Sequence, residues 1–235
     1  MIYVTGDTHG EQARLEFIFS DCGISWTIGD YLIVCGDFGF TFSGREYERV
    51  FLDKFENQIA TILFIDGNHE NFDLLYQCPV EMWGGGKIHR IRRNIVHLMR
   101  GQVFEIEKKR FFTMGGGNSV DKHLRKENEW WAHEMPSPEE YSEALKNLGE
   151  HVNKIDVILT HTAPSETLAR LGFAQTKKEL PLNNFLEYIR ETVQYKHWYF
   201  AHVHRDCYVW RNQTSVYYDI INIRDSLDAK QQGGL

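Results

Sequence analysis

Apolar residues in this chain gather in short runs, and several of those runs stop at the same kind of tip. Residues 1–5 (MIYVT) run into Gly6-Asp7, residues 31–35 (YLIVC) into Gly36-Asp37, and residues 60–65 (ATILFI) into Asp66-Gly67-Asn68-His69. Further on, residues 157–160 (VILT) stop at His161 and residues 198–201 (WYFA) at His202. Short apolar runs rich in Ile, Val, Phe and Tyr are predicted as buried β-strands. Between the early runs, residues 11–19 (EQARLEFIF) and 46–56 (EYERVFLDKFE) carry apolar residues three and four apart, the spacing of one helix face. Strand, helix, strand, helix in that order predicts an α/β fold with a largely parallel sheet.

The middle of the chain changes character. Residues 95–107 and 110–114 are predicted as meander or hairpin strands on either side of Lys108-Lys109, and Gly115-Gly116-Gly117 then punctuates the chain. Residues 118–138 have no clean period and are expected to form an irregular loop, a kind of segment that often carries function. Ser137 as N-cap, Pro138 at the first helical position and Glu139-Glu140 in the first turn predict the start of another helix. Residues 207–223 alternate enough to close a sheet, and the polar residues 224–235 are expected to fray. The expected organisation is one domain over residues 1–223, with an irregular loop at 115–138 and a tail at 224–235.

Composition narrows the class. A chain of 235 residues is long enough to hide roughly 70% of its unfolded surface in one core. With 42% hydrophobic and 14% aromatic residues it is not a disordered polymer. A net charge of −7 speaks against nucleic-acid binding over the whole surface. The sign reverses locally. Lys87, Arg90, Arg92, Arg93, Arg100, Lys108, Lys109 and Arg110 face only Glu105 and Glu107 within the same stretch. That stretch reads either as a solvated hairpin or as a rim that attracts an anionic substrate. None of Cys22, Cys35, Cys78 and Cys207 has C-x-x-C spacing, which excludes a zinc ribbon, and Cys35 reads as a buried thiol. No basic-then-apolar leader opens the chain, and no apolar run nears the roughly eighteen residues of a membrane helix. A reducing, cytoplasmic setting without a membrane partner is the expectation.

The chemistry lies at the strand tips. Five strand-like runs deliver Asp7 and His9, Asp37, Asn68 and His69, His161, and His202 and His204. Ligands of an open parallel sheet bind outside the carboxyl ends of its strands, where all of these residues fall. Asp, Asn and neutral His together make a mixed oxygen–nitrogen site, suited to manganese, iron or zinc and unlike a thiolate structural site. Seven candidate ligands exceed what one ion with an open position needs. They suit two divalent ions sharing a carboxylate, and Asp37, from a central strand, is the natural bridge. Gly6, Gly36 and Gly67 allow tight turns at the tips. In an extended segment His202 and His204 project to one side, and one arrangement gives each ring to a different ion.

In this order GDTHG, GDFGF, GNHE, LTHTAPSE and AHVHRD resemble the calcineurin-like metallophosphoesterase superfamily, over residues 6–204. Ala201 replaces the usual glycine before His-x-His. The resemblance implies a four-layer α/β/β/α metallophosphatase sandwich in a single domain, with a dinuclear centre. It places Asp7, His9 and His204 on one ion and Asn68, His161 and His202 on the other, with Asp37 as bridge. It makes His69 the catalytic histidine beside the attacked phosphorus and a metal-activated hydroxide the nucleophile. Phe40 and Thr41 stand where the protein Ser/Thr phosphatase branch has an aspartate and an arginine, so a typical phosphoprotein phosphatase is not expected. The phosphate must then be gripped elsewhere, by Arg205 or by Asn118, His123 or Arg125 of the irregular loop.

The leading expectation is therefore metal-dependent hydrolysis of phosphate mono- or diesters, with manganese first among the metals. The alternatives are a nuclease or cyclic-nucleotide phosphodiesterase, whose partner would be a nucleic acid or nucleotide, and a non-catalytic scaffold on the same fold. Trp130-Trp131 read as an anchor of the loop or as a platform for a nucleobase. The remaining histidines, His89, His97, His123, His133, His151 and His197, read as surface or structural, with His123 also a candidate for the phosphate.

Overall fold

Alternation along the strands decides the layering. The computed structural model describes residues 1–119, 130–210 and 212–228. In β2 (Tyr31–Cys35), Ile33 and Cys35 face one core while Leu32 and Val34 face another. In β3 (Thr61–Ile65), Leu63 and Ile65 face the first and Ile62 and Phe64 the second. On the other side of the first core, Val157 and Leu159 of β9 (Lys154–Thr160) point inward, and Ile158 points to a third core. Both faces of these strands are apolar, so each sheet must be covered twice.

One sheet runs in the order β13-β1-β2-β3-β6-β5-β4 and the other β11-β12-β10-β9-β8-β7. In the first, β1 (Ile2–Thr5), β2, β3 and β6 (Ile95–Leu98) are parallel. β5 (Gly86–Arg92) and β4 (Val80–Trp83) add antiparallel strands at one edge, and β13 (Ile221–Asn222) one at the other. In the second, β8 (Lys109–Met114), β9, β10 (Gln194–Phe200) and β12 (Gln213–Ser215) are parallel. β7 (Gln102–Ile106) and β11 (Cys207–Trp210) flank them antiparallel. Helices α1 (Gln12–Ser20) and α2 (Glu46–Glu56) cover the first sheet with Leu15, Ile18, Phe51, Leu52 and Phe55. The short α3 (Phe72–Leu75) adds Phe72 and Leu75 to that core. Helices α4 (Pro138–Glu150), α5 (Ser165–Leu171) and α6 (Leu180–Thr192) cover the second with Ala144, Leu148, Leu168, Leu182, Leu186 and Ile189. The four-layer α/β/β/α expectation is met.

The predicted strands and helices fall where the patterns put them, and α4 starts as its cap demands. Ser137 Oγ accepts from the Glu140 amide at 3.3 Å while Glu140 Oε2 accepts from the Ser137 amide at 2.7 Å, a reciprocal cap worth about 1 kcal/mol. Three features differ from the sequence reading. Residues 95–114 do not form one meander: β6 belongs to the first sheet, and only β7 and β8 pair as a hairpin, in the second. The chain crosses between the sheets at Gly101, whose φ is +69°. The β7–β8 hairpin turns on Glu107 and Lys108, both left-handed, rather than on Lys108-Lys109. Beyond β13, residues 223–228 form helix α7 (Ile223–Asp228) instead of fraying, because Ile223 is buried in the core between the sheets.

Part of the basic stretch is neutralised. Lys87 pairs with Glu143, Arg90 with Glu81 and Arg92 with Asp53, while the Arg93 guanidinium donates to the Glu56 carbonyl. Arg100 is not on the surface at all. It is buried, with its Nε 2.7 Å from Asp66 Oδ2. Asp66 also meets His97 Nε2 at 3.0 Å, and His97 stacks on its cross-strand partner His89, their Nδ1 atoms 3.0 Å apart. Arg100 further donates to the carbonyls of His133 and Glu134 and pairs with Glu140, tying the end of the irregular loop to β3 and α4. Among the described residues no helix is long and apolar enough to cross a membrane.

The buried His89–His97 stack makes stability depend on pH. Burial first, and His97 second, pull His89 down to about 4, against a weaker opposing pull from Asp66. Tyr76 also packs on His89. The folded state refuses a proton that the unfolded chain accepts, so the contribution is complete above about pH 6.5 and is lost as pH falls towards 4. It amounts to roughly 3 kcal/mol at most. Urea midpoints at pH 7 and pH 4.5 should fall on acidification in the wild type and fall less in His89→Phe. An equal fall in both proteins would show that His89 is not the group responsible.

Candidate metal centre

The centre sits where the carboxyl ends of β1, β2, β3, β9 and β10 meet, at the seam of the two sheets. All seven residues read as ligands converge there. Asp7 and His9 leave β1, Asp37 leaves β2, Asn68 leaves β3, His161 leaves β9, and His202 and His204 leave β10. Donor atoms of Asp7, His9 and His204 lie within 4.8 Å of one another, as do those of Asp7, Asp37 and His161, and of His9, Asp37 and His69. The second sheet is stitched to the first by His161, whose Nδ1 donates to the Cys35 carbonyl at 3.0 Å.

That bond decides the state of the ring. A carbonyl can only accept, so Nδ1 carries a proton, and in the neutral ring Nε2 presents a lone pair. Nε2 lies 3.0 Å from Asn68 Oδ1 and 3.6 Å from Asp37 Oδ2. Asn68 is oriented by its own amide, which donates to Ser119 Oγ at 3.1 Å, so its oxygen faces His161. Three acceptors thus point at one small volume. The same crowding recurs at His204, whose Nε2 is 3.1 Å from His9 Nε2 and 3.1 Å from Asp7 Oδ2.

Charge leads to the same conclusion. Asp7 and Asp37 are essentially inaccessible, and among the described residues their ion-pair partners are all histidines. A buried carboxylate without a full counter-charge costs several kcal/mol. Burial pushes Asp37 up, but His161, His69 and His9 outweigh it and hold the group below the usual carboxylate range. Burial lowers His161, but Asp37 and Asp7 outweigh it and raise the ring, so a proton is drawn to the place where a metal cation fits. The residues present suit divalent cations.

The backbone is bent to build this arrangement. His9 (φ 48°), Asp37 (49°), His202 (66°) and His204 (49°) are all left-handed, a conformation that costs a non-glycine residue about 1–3 kcal/mol. Nearby bonds hold it. The Asp37 carbonyl accepts from the amides of Thr8 and His9 at 3.1 and 2.7 Å, and its Oδ1 accepts from the His69 amide at 2.7 Å. Gly36 (φ 93°) and Gly67 are obligatory for space as well. A Cβ on Gly36 would stand 2.1 Å from His161 Nδ1, and one on Gly67 would stand 2.0 Å from Asp37 Oδ1.

Sequence reasoning missed several supporting residues. Glu70, the last letter of GNHE, is buried and accepts the Phe38 amide at 2.7 Å, clamping the GDFG turn. Burial first, then Asp37, raises its carboxyl well above the ordinary range. Buried Arg14 grips the carbonyls of Asp7 and Tyr217. The Tyr217 ring stacks on His204 at 4.7 Å, and Asp206 holds the backbone amides of Tyr217, Tyr218 and Asp219. Glu179, just before α6, is buried, and its Oε1 lies 3.4 Å from His202 Nε2. Glu70 and Asp206 lie inside recognisable motifs. Arg14, Glu179 and Tyr217 carry no local signal.

The phosphate-gripping candidates are placed unequally. Arg205 is exposed beside His204, its guanidinium 5.4 Å above the Phe173 ring. Asn118 is buried and donates its amide to Thr176 Oγ1 at 3.2 Å. His123 and Arg125 lie outside the described residues. Phe40 and Thr41 are buried, Phe40 against Phe38 and Phe51. Trp131 anchors its segment, its indole donating to Asp73 at 2.8 Å and its ring packed edge-on to Phe42.

The family model for calcineurin-like phosphoesterases matches residues 1–206. No curated protein matches the chain. A crystal structure of a phosphopantetheinyl hydrolase from Mycobacterium tuberculosis is similar at 16% identity and a TM-score of 0.46, over 99% of this chain and 92% of that one.

Two substitutions separate the crowded geometry from its support. Gly67→Ala drives a methyl into Asp37 and should abolish high-affinity manganese uptake, read by calorimetric titration, with the far-ultraviolet circular dichroism unchanged. Glu179→Gln keeps the size but removes the charge that faces His202, and should weaken uptake about tenfold. Unaltered binding in both proteins would mean that the cation sits elsewhere.

Proposed function

We propose, for a chain that belongs to the calcineurin-like phosphoesterase family and is a metal-dependent phosphoric ester hydrolase, that it cleaves phosphate mono- or diesters at a two-cation centre. Asp7, His9 and His204 hold one cation, Asn68, His161 and His202 hold the other, and Asp37 lies between them. The observation that carries this reading is the ring state of His161. Its Nδ1 proton is committed to the Cys35 carbonyl, so Nε2 is turned to the oxygens of Asn68 and Asp37, an arrangement that calls for a cation among them.

Two divalent ions, manganese first among them, supply Lewis acidity toward the phosphoryl oxygens and acidify water. The protein's own groups do the rest. Asp37, held by the His69 amide, keeps the two halves of the centre together. His69, packed edge-on to His9 with ring centroids 5.2 Å apart, faces the reacting group and stabilises its charge or protonates the leaving oxygen. Arg205 is the cation best placed to hold the phosphate, since Asn118 is engaged with Thr176. A typical phosphoprotein is not the expected substrate, because Phe40 and Thr41 supply neither the carboxylate nor the guanidinium that the protein phosphatase branch has at these positions.

The test uses p-nitrophenyl phosphate and bis(p-nitrophenyl) phosphate with added manganese, alongside metal analysis. Two ions per chain and hydrolysis abolished by chelation are expected. His69→Ala should lower kcat by about 10²–10⁴ with the metal content unchanged, and Arg205→Ala should raise KM. Activity that survives chelation overturns the metal mechanism. Two tightly held ions without hydrolysis of either ester would favour a scaffold.

A further inference from the structure

Beside the centre lies a cavity of about 280 Å³ that the metal chemistry does not use. Two of its lining residues, His9 and His69, belong to both, so the cavity and the centre are continuous. Four of the other lining residues are aromatic, and Gly10, Gln12, Gly39 and Glu48 complete it. Phe40 and Phe51 stack at 4.4 Å and form the buried floor. Phe42 forms a wall, braced from behind by the edge of Trp131 at 5.6 Å. Tyr47 stands at the rim and is 62% exposed.

The charge of the lining is as informative as its shape. Among the described residues no lysine or arginine lines the cavity, and the one carboxylate there, Glu48, is already engaged by the amides of Ser43 and Gly44 at 2.8–3.0 Å. A wall that carries a fixed negative charge and no cation rejects a second anion. The volume lies at the small end of ligand sites, which run from about 300 Å³ upward. It admits one or two rings, not a polymer. Aromatic walls favour a flat apolar group by offset or edge-on packing.

We propose that this cavity is the leaving-group subsite and that the substrate is a phosphate ester of an uncharged aromatic alcohol. The inference rests on the phosphoester-hydrolase reading of the adjoining centre. The bond that breaks joins phosphorus to the oxygen bearing the aromatic group. Water supplies the new bond to phosphorus, and a proton passes to the departing alkoxide, so phosphate and the free alcohol are the products. His69, at the boundary of the two spaces, is the protein group nearest that oxygen.

The test compares esters whose alcohols ionise alike, 2-phenylethyl phosphate and n-propyl phosphate, on the manganese-loaded protein. The aromatic ester should be favoured in kcat/KM by about tenfold, and Tyr47→Ala and Phe42→Ala should each erode that ratio several-fold. Tyr47 is exposed, so its variant folds even where Phe42→Ala does not. In parallel, benzylphosphonate should bind more tightly than methylphosphonate, while 4-carboxybenzylphosphonate should gain nothing from its ring. Hydrolysis of both esters without preference, or a ratio untouched by Tyr47→Ala, overturns the subsite and leaves the hydrolase reading standing. No hydrolysis of either ester or of the two p-nitrophenyl esters, with the benzylphosphonate preference intact, overturns the hydrolase reading and keeps the aromatic subsite. Loss of both overturns the two together.

Discussion

Two aspartates buried at the seam of two sheets, with only imidazoles for ion-pair partners among the described residues, are the constraint around which this protein is organised. Asp7 and Asp37 are removed from water, and among the described residues no permanent positive charge pairs directly with either carboxylate. Elsewhere the same fold shows how a buried carboxylate is ordinarily settled. Asp66, one strand over, has the Arg100 guanidinium against it and is held far below the usual range despite its burial. The contrast is local and chemical. At Asp66 a guanidinium meets the carboxylate itself, whereas beside Asp7 the Arg14 guanidinium is turned to the backbone carbonyls of Asp7 and Tyr217.

The second theme is how strain is distributed. Four of the candidate ligands adopt left-handed backbone, which together costs several kcal/mol. That cost is offset by groups which never touch the reaction. Glu70 clamps the turn that carries Asp37, Arg14 the turn that carries Asp7, and Asp206 the segment that stacks Tyr217 on His204. Each is a charged side chain that holds backbone groups. Such bonds fix direction, and direction is what a centre built from five separate strand tips lacks by itself.

The third concerns the neighbourhood of His69. Phe40, Phe42 and Phe51 line the cavity that His69 shares with the centre. On the proposed reading, the phosphoryl group and its organic substituent are treated differently, charge by the centre and apolar surface by the aromatic cavity.

How much of this was legible beforehand depends on the range of each interaction. Strand tips, the glycines at Gly36 and Gly67, the cap at Ser137 and the seven ligand positions are written in local runs of a few residues, because period, turn chemistry and capping act over that distance. What the chain could not show locally are the pairings across long separations. Glu179 reaches His202, Arg14 reaches Tyr217, and Arg100 is buried against Asp66 although its neighbours in sequence read as a basic surface. The split of β6 and β7 between two sheets is of the same kind, since an apolar run says that it is buried but not against what. Sequence alone determined which residues could hold cations. Only the tertiary structure decided which ring nitrogen faces them, because that depends on the Cys35 carbonyl from the opposite sheet.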